Sequence, residues 1–273
     1  IEPRVITNRV ALWSPTTFSI NPIQVMESLL SDALDLGVKV VTDTRYLHSD
    51  RNNKIIATSK GNYNYGYFIN SAGLYADKIA IEWGFSKKYR ILPFKGLYLN
   101  SSPLAYKPKV HIYPVPDLKF PFLGVHFTLT VDGLAKIGPT AIPAFWRENY
   151  QGFDRFNASE AIETVYREMD LWLKNKFNFR ALASAEIRKY NKNNMIKDAS
   201  MMLKNASDLK FKKWGKPGIR AQLVDIDKGK LEMDFVHEGD RESFHILNAV
   251  SPAFTCSIPF SKYLVDQIEE LIN

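Results

Sequence analysis

HIYPVPDLKFPFLGVHFTLTVDGLAKIGPTAIPAFWREN, residues His111 to Asn149, is the stretch that decides the fold class. It consists of short aromatic and β-branched runs punctuated by proline, the texture of antiparallel strands and turns, and Asp132-Gly133 is placed to turn a hairpin. Upstream, Asn21 can cap a helix and Pro22 suits its first position. Ile23, Met26, Leu30, Ala33 and Leu34 then fall on one face before Gly37 closes it. VKVVT (Val38 to Thr42) follows at once and predicts a buried strand. A polar strand, turn and strand covers Lys54 to Gly66. Tyr65 to Ala80 then passes from strand to helix through a hinge at Ser71-Ala72-Gly73. Downstream, Asn157 to Arg180 and Asn194 to Ala206 read as amphipathic helices, the first with Ile162, Val165, Tyr166, Met169 and Leu173 on its apolar stripe. Strands return at Ile219 to Asp225, Leu231 to Val236 and Phe244 to Leu247, and a helix runs from about Ser257 to Ile272. Helix-and-strand sections flanking a central antiparallel sheet predict an α+β architecture of two interleaved domains. Residues 21–87 and 216–273 form one. Residues 1–20 and 88–215 form the other, with a helical insert at about 155–210.

Composition narrows the function classes. The 273 residues are 45% hydrophobic and 24% charged, enough to bury the core of one large domain or two modest ones, which excludes a disordered chain. A single cysteine, Cys256, excludes an internal disulfide and a multi-cysteine zinc site. No run approaches the ~18 apolar residues of a membrane span. These features predict a cytoplasmic protein, with a peripheral position on the inner membrane as the alternative. The net charge of +7 invites a nucleic-acid reading, because Lys204, Lys210, Lys212, Lys213 and Lys216 cluster with Phe211 and Trp214 interleaved. No nucleic-acid fold signature accompanies them, so no nucleic-acid partner is expected. No two of the 14 glycines are separated by one residue, so neither a G-x-G-x-x-G fingerprint nor a phosphate loop is present.

Three blocks give the chain a family likeness: NSAGLYAD (Asn70 to Asp77), the long stretch from His111 to Asn149 with its YPVPD, FPFLGVHFT and IGPTAIPAFWREN, and GIRAQLVD with NAVSPAFTCSIPFSKYLVDQI near the end. In these the sequence resembles the FAD-dependent L-2-hydroxyglutarate oxidases and dehydrogenases of the D-amino-acid-oxidase superfamily. The resemblance covers nearly the whole chain. It departs at Lys95-Gly96-Leu97-Tyr98, where the family usually reads R-G-E-Y, and at Thr140, where it has asparagine. The family's opening strand and G-x-G-x-x-G loop are absent. The resemblance therefore implies an incomplete FAD-binding domain of glutathione-reductase type, interleaved with an antiparallel-sheet substrate domain, and an N-terminal segment that is separate or cut away.

Site residues follow from the same likeness. Ala72, Gly73 and Leu74, in a small-residue turn after a strand, would pass the dinucleotide part of FAD, and the main chain at Tyr46 would touch adenine. Ser251, Pro252, Ala253 and Thr255 precede the last helix; such an end stabilises an anion, and in the superfamily it would face the flavin. Without the family, these residues read as ordinary turns and an ordinary helix entry. Arg220 has the planar fork that pairs with a carboxylate, and related oxidases place a substrate arginine after a similar Gly-hydrophobic pair; the alternative is a surface arginine. His126 can accept the proton of an α-hydroxyl; the alternative is a satisfied core histidine on an apolar strand. His111 and Tyr113 read as structural, with lining of the substrate cavity as the alternative, and Lys95 and Lys136 read as solvated, with attraction of a dicarboxylate as the alternative. The implied substrate is a small dicarboxylate, L-2-hydroxyglutarate or a similar 2-hydroxy acid, with oxygen, quinone or an electron-transfer protein as electron acceptor. The alternatives are an enzyme of the same superfamily acting on an amino acid or glycerol 3-phosphate, and a fragment unable to hold FAD alone.

Overall fold

The computed structural model describes residues 1–116 and 122–273. Part of the PVPD to FPF block, Asp117 to Pro121, lies outside the described residues. In chain order the elements are helix α1 (Pro22–Asp35), strands β1 (Tyr46–Asp50), β2 (Ile55–Thr58), β3 (Gly61–Asn64) and β4 (Phe68–Asn70), and helix α2 (Ala76–Glu82). Next come β5 (Tyr89–Gly96), β6 (Leu99–Asn100), β7 (His126–Leu129), β8 (Ala135–Gly138) and β9 (Ile142–Pro143). Helices α3 (Ala158–Lys174), α4 (Phe179–Ile187) and α5 (Lys192–Ser200) follow. The chain then runs through β10 (Lys213–Trp214), β11 (Gly218–Asp225), β12 (Lys230–Leu231), β13 (Val236–Gly239) and β14 (Ser243–Asn248) to α6 (Ser257–Ile272). Two compact units result, Ile1–Glu27 with Leu92–Arg220 and Ser28–Ile91 with Ala221–Asn273.

In the first unit, β10, β6, β8 and β7 form an antiparallel sheet in that order. Successive strand residues point to opposite faces, so one face collects Leu99, Phe127, Ala135 and Ile137. Against them pack Met195, Ala199, Leu203, Ala206, Leu209 and Phe211. The rear half of the helical block is therefore the floor of the sheet. Phe127 and Ile137 are fully buried, each contributing about 1.5–3 kcal/mol of transfer free energy. Because Phe211 enters this core, it cannot stack on a base beside Trp214.

The second unit holds the antiparallel meander β1-β2-β3 and a sheet ordered β13-β14-β4, in which β14 and β4 run parallel. Ala76 and Ala80 of α2 pack with Tyr89, Ile91, Leu223 and Leu247. Leu264 and Ile268 bury the inner face of α6 against Phe244.

Several expectations meet corrections. Val38 to Thr42 is not a strand. Val38, Val40 and Val41 are exposed and no helix or strand includes them. A β-branched run becomes a strand only where neighbours supply ladder partners, and none does so among the described residues. The apolar face of α1 is likewise uncovered, with no residue of that helix buried. The expected long helix from Asn157 breaks at Asn175 (φ +46°), a left-handed cap that asparagine tolerates. The expected stripe of α3 faces outward at Ile162, Tyr166, Met169 and Leu173, while Thr164 and Leu171 are buried. Beside them Glu168 keeps one carboxylate oxygen buried without a hydrogen-bond partner among the described residues, and burial pushes its pKa up to about 8. The expected strand from Leu231 to Val236 divides into β12 and β13.

Gly138, at the end of β8, shapes the wall of the site described below. Its φ is +136°, and a Cβ there would lie 2.6 Å from the Leu97 carbonyl oxygen and 2.9 Å from the Tyr98 ring. Gly138→Ala is expected to lower stability by about 2–4 kcal/mol, through backbone strain and forced displacement of Leu97-Tyr98. Thermal unfolding checks it, and an unchanged midpoint would show that the β5 to β6 connection gives way freely.

Candidate active site

The face of the β7 and β8 strands opposite the core carries the polar groups of the first unit. The register pairs His126 with Gly138 and Thr128 with Lys136, the alternate positions to Phe127 and Ile137. His126 stacks on Tyr113, with ring centroids 4.4 Å apart. Its Nδ1 lies 3.0 Å from the Gly124 carbonyl oxygen. A carbonyl only accepts, so Nδ1 carries the proton and the neutral ring presents an Nε2 lone pair. Burial is the main cause that lowers the His126 pKa below 6.5, with the charge of Lys136 acting in the same direction. His111 is the opposite case. Its Nδ1 accepts from the Leu129 N–H at 3.0 Å and its Nε2 lies 3.4 Å from Ser19 Oγ, so both nitrogens are engaged locally.

Arg220, near the start of β11, lines a cavity of about 170 Å³ with Phe94, Gly96, Tyr98, Thr140 and Ile219. Its guanidinium lies 4.8 Å from the centre of the Phe122 ring. Among the described residues it has no hydrogen-bond or ion-pair partner. Burial lowers its pKa from the ordinary value, and Tyr98 and Glu186 oppose that shift. A half-buried guanidinium with an aromatic ring beneath it and no hydrogen-bonded carboxylate among the described residues is chemically suited to pair with an anion. The cavity wall is firmly held. Thr140 Oγ1 donates to the Lys95 carbonyl and accepts from the Leu97 N–H, both at 2.9 Å. The Ala141 N–H donates to Glu186 Oε2 at 2.6 Å, and Glu186 is itself paired with buried Lys189.

Neither lysine read as solvated is so. Lys95 is buried, donates to Asn149 Oδ1 at 3.0 Å, and has its pKa lowered by burial. Lys136 is half-buried, with Nζ 4.7 Å from the centre of the Tyr98 ring. Tyr98 itself escaped the sequence reading. Burial raises its pKa, and Arg220 opposes the shift. A tyrosine in a loop between strands carries no local signal; only the fold reveals that its ring lies under Lys136 and lines the Arg220 cavity.

The residues expected to meet FAD lie in the second unit. Asn70 ends β4, and its buried side chain organises the turn that follows. Oδ1 accepts from the Ala72 N–H at 3.1 Å, while Nδ2 donates to the Ala76 carbonyl at 2.8 Å and approaches His245 Nδ1 at 3.1 Å. Ala72 and Gly73 are exposed and Leu74 is half-buried. Gly73 has φ +54°, and nothing lies within 4 Å of where a Cβ would stand, so the backbone there is open to close approach. Ser251 to Cys256 forms the turns after β14. The Ala253 N–H donates to the Val250 carbonyl and Thr255 Oγ1 donates to the Pro252 carbonyl, so neither group is free. Ser251, Pro252 and Thr255 are exposed. Tyr46 opens β1; its hydroxyl donates to Glu82 at 2.8 Å and accepts from the Trp83 indole, and burial pushes its pKa up to about 12.

The parallel pairing of β4 and β14 places both turns, 71–75 and 249–256, after the carboxyl ends of adjacent strands. Cofactors bind at such ends in open α/β sheets. This placement and the open backbone at Gly73 fit one side of a dinucleotide. The pyrophosphate needs a glycine-rich loop, and the 273 residues hold no Gly-x-Gly. Among the described residues no group of three or more His, Cys, Asp or Glu side chains is disposed to hold a metal ion, and no helix is long and apolar enough to cross a membrane.

Comparison with known proteins agrees with this anatomy. Over 283 aligned residues the chain is 31% identical to the mitochondrial L-2-hydroxyglutarate dehydrogenase of Mus musculus, covering 96% of this chain and 60% of that protein. It is 34% identical to the L-2-hydroxyglutarate dehydrogenase of Indibacter alkaliphilus (84% and 56% covered) and 32% identical to that of Escherichia coli K12 (83% and 53%). The chain thus spans about half the length of the curated relatives it matches. Among solved structures, the L-alpha-glycerophosphate oxidase of Mycoplasma pneumoniae aligns with a TM-score of 0.58 at 15% identity, covering 93% of this chain and 56% of that one. The glycine oxidase of Bacillus cereus aligns with a TM-score of 0.57 at 14% identity, covering 91% and 56%. Likeness at such identity speaks for the fold alone. The profile of the FAD dependent oxidoreductases, DAO, matches residues 1–267, and the chain belongs to that family.

Proposed function

We propose that this chain forms the substrate-binding part and one side of the cofactor site of an FAD enzyme that oxidises L-2-hydroxyglutarate, or a similar 2-hydroxy acid, to the 2-oxo acid. The observation that carries the reading is Arg220, a half-buried guanidinium lining a cavity with no anionic partner among the described residues. The names of the relatives support the substrate class. FAD, when bound, supplies the acceptor for the hydride that leaves the substrate Cα to flavin N5, a role no side chain here can fill. Arg220 holds the C1 carboxylate through its fork and fixes the orientation of the hydroxyl-bearing carbon. His126 takes the hydroxyl proton on Nε2 as the carbonyl forms, its Nδ1–H remaining on the Gly124 carbonyl. The turn at Ala72 to Leu74, open at Gly73, and the turns at Ser251 to Thr255 contact the cofactor, and the main chain at Tyr46 meets its adenine end.

Flavin absorbance tests the proposal. The chain is mixed with FAD, alone and with a polypeptide bearing the Gly-x-Gly loop it lacks, and then receives L-2-hydroxyglutarate, glycine or glycerol 3-phosphate without oxygen. Selective bleaching by the 2-hydroxy acid is the expected result. Bleaching by glycine or glycerol 3-phosphate alone would overturn the substrate, and absence of bound flavin in every mixture would overturn the cofactor role.

A further inference from the structure

The first unit contains a second cation that, like Arg220, is half-buried and lies over an aromatic ring. Lys136 sits on β8 between Ala135 and Ile137, which both enter the core, so its side chain leaves the sheet on the opposite face, shared with His126 and Thr128. That face is not open solvent. Lys136 is half-buried, lies over the Tyr98 ring, and has its pKa lowered by burial. Among the described residues its ammonium has no carboxylate and no hydrogen-bond acceptor. Desolvating an ammonium without an acceptor is unfavourable, and on an exposed strand the same side chain would reach water at no cost.

Tyr98 links the two cations. Lys136 Nζ lies 4.7 Å from the centre of its ring, and Arg220 acts on its hydroxyl. The Lys136 charge also reaches His126. A proton acceptor thus lies within the electrostatic reach of Lys136, and the Tyr98 ring that Lys136 covers also lines the Arg220 cavity. A monocarboxylate can satisfy only one of the two cations. The carboxyl carbons of an extended five-carbon diacid lie about 5 Å apart by standard bond lengths, so its second carboxylate reaches beyond the group that holds the first.

We infer that Lys136 binds the distal carboxylate of a dicarboxylic 2-hydroxy acid and so selects diacids over 2-hydroxy monoacids. This rests on Arg220 holding the proximal carboxylate, as proposed above. Lys136 is a specificity residue here. It takes no part in the proton or hydride movement.

Binding to the purified chain, measured by isothermal titration, tests the inference without requiring turnover. The probes are L-2-hydroxyglutarate and L-2-hydroxypentanoate, in which a methyl group replaces the distal carboxylate. For Lys136→Met the expected result is a Kd for L-2-hydroxyglutarate raised about 10-fold or more, with the Kd for L-2-hydroxypentanoate changed less than about 2-fold. Lys136→Arg should keep most of the preference for the diacid. Equal losses for both probes would reduce Lys136 to a structural role, and no loss for either would remove it from the site; both outcomes overturn the inference. Arg220→Met separates this from the underlying reading, because it should weaken both probes. If Arg220→Met leaves both unchanged, or the unaltered chain binds neither probe, the carboxylate site itself falls, and Lys136 with it.

Discussion

Arg220→Met weakens binding of a 2-hydroxy acid by about 30- to 1000-fold, the range expected when a desolvated, hydrogen-bonded charge pair loses one partner. The same variant keeps or raises the midpoint of thermal unfolding. Both effects follow from one fact: in the unliganded chain the guanidinium is half-buried over Phe122 with no anion beside it among the described residues. Removing it breaks no ion pair among the described residues and relieves desolvation of a charge. Arg220→Lys holds the charge but loses the fork, and an intermediate loss of about 10-fold is expected. Titration calorimetry and thermal unfolding on the same preparations check the pair of effects. A drop in stability without a change in affinity would make Arg220 a structural residue and would dissolve the proposed carboxylate site.

His126→Gln lowers kcat of the flavin-loaded enzyme by about 10²- to 10⁴-fold, the usual range for loss of a general base, with KM changed only a few-fold. Glutamine can still meet the Gly124 carbonyl as a donor, but its amide has no basic lone pair at the Nε2 position. The pH profile supplies a second reading. Burial holds the His126 pKa below 6.5, so the imidazole is neutral and competent at neutral pH, and protonation abolishes it only as the pH falls through that lowered value. The acid limb of kcat/KM in the unaltered enzyme therefore lies below 6.5 and disappears in His126→Gln. The stability consequence has a defined sign. Folding disfavours the charged ring, so the native state is destabilised relative to neutral pH once the solution drops below the unfolded value. An acid limb that persists in the variant would assign the base to another group.

Much of this fold is legible in the sequence wherever local chemistry and tertiary packing agree. The hairpin at Asp132-Gly133 joins β7 and β8 as expected, with the Thr130 N–H donating to the Leu134 carbonyl at 2.8 Å. Helix α6 lies at its expected limits and buries Leu264 and Ile268, while α1 keeps close to its limits on the Asn21 cap and Pro22 alone. Val38 to Thr42 shows where agreement ends, since a run of valines specifies a strand only in the presence of strands to pair with. The stripe on α3 fails for a related reason. Periodicity names an apolar face but not the neighbour that covers it, and here Thr164 and Leu171 on other positions face the interior. Arg220 and His126 stood out by residue type and by family likeness. Lys136 reads as a solvated residue with a dicarboxylate as the alternative, because Ala-Lys-Ile-Gly on a strand looks the same whether its polar face meets water or the Tyr98 ring.

The polypeptide passes from the second unit to the first within β5 and back again at the Arg220-Ala221 bond in β11. A ribosome emitting this chain can finish neither unit early. Ser28–Ile91 emerges long before Ala221–Asn273, whose Leu223, Phe244 and Leu247 complete its core. Domains usually fold as they are synthesised, amino-terminal first, at about 5–20 residues per second. Here the apolar surface of Ala76, Ala80 and Ile91 waits uncovered until the other unit has been fully translated. The order of synthesis makes the last fifty or so residues the step that commits the second unit to its native state.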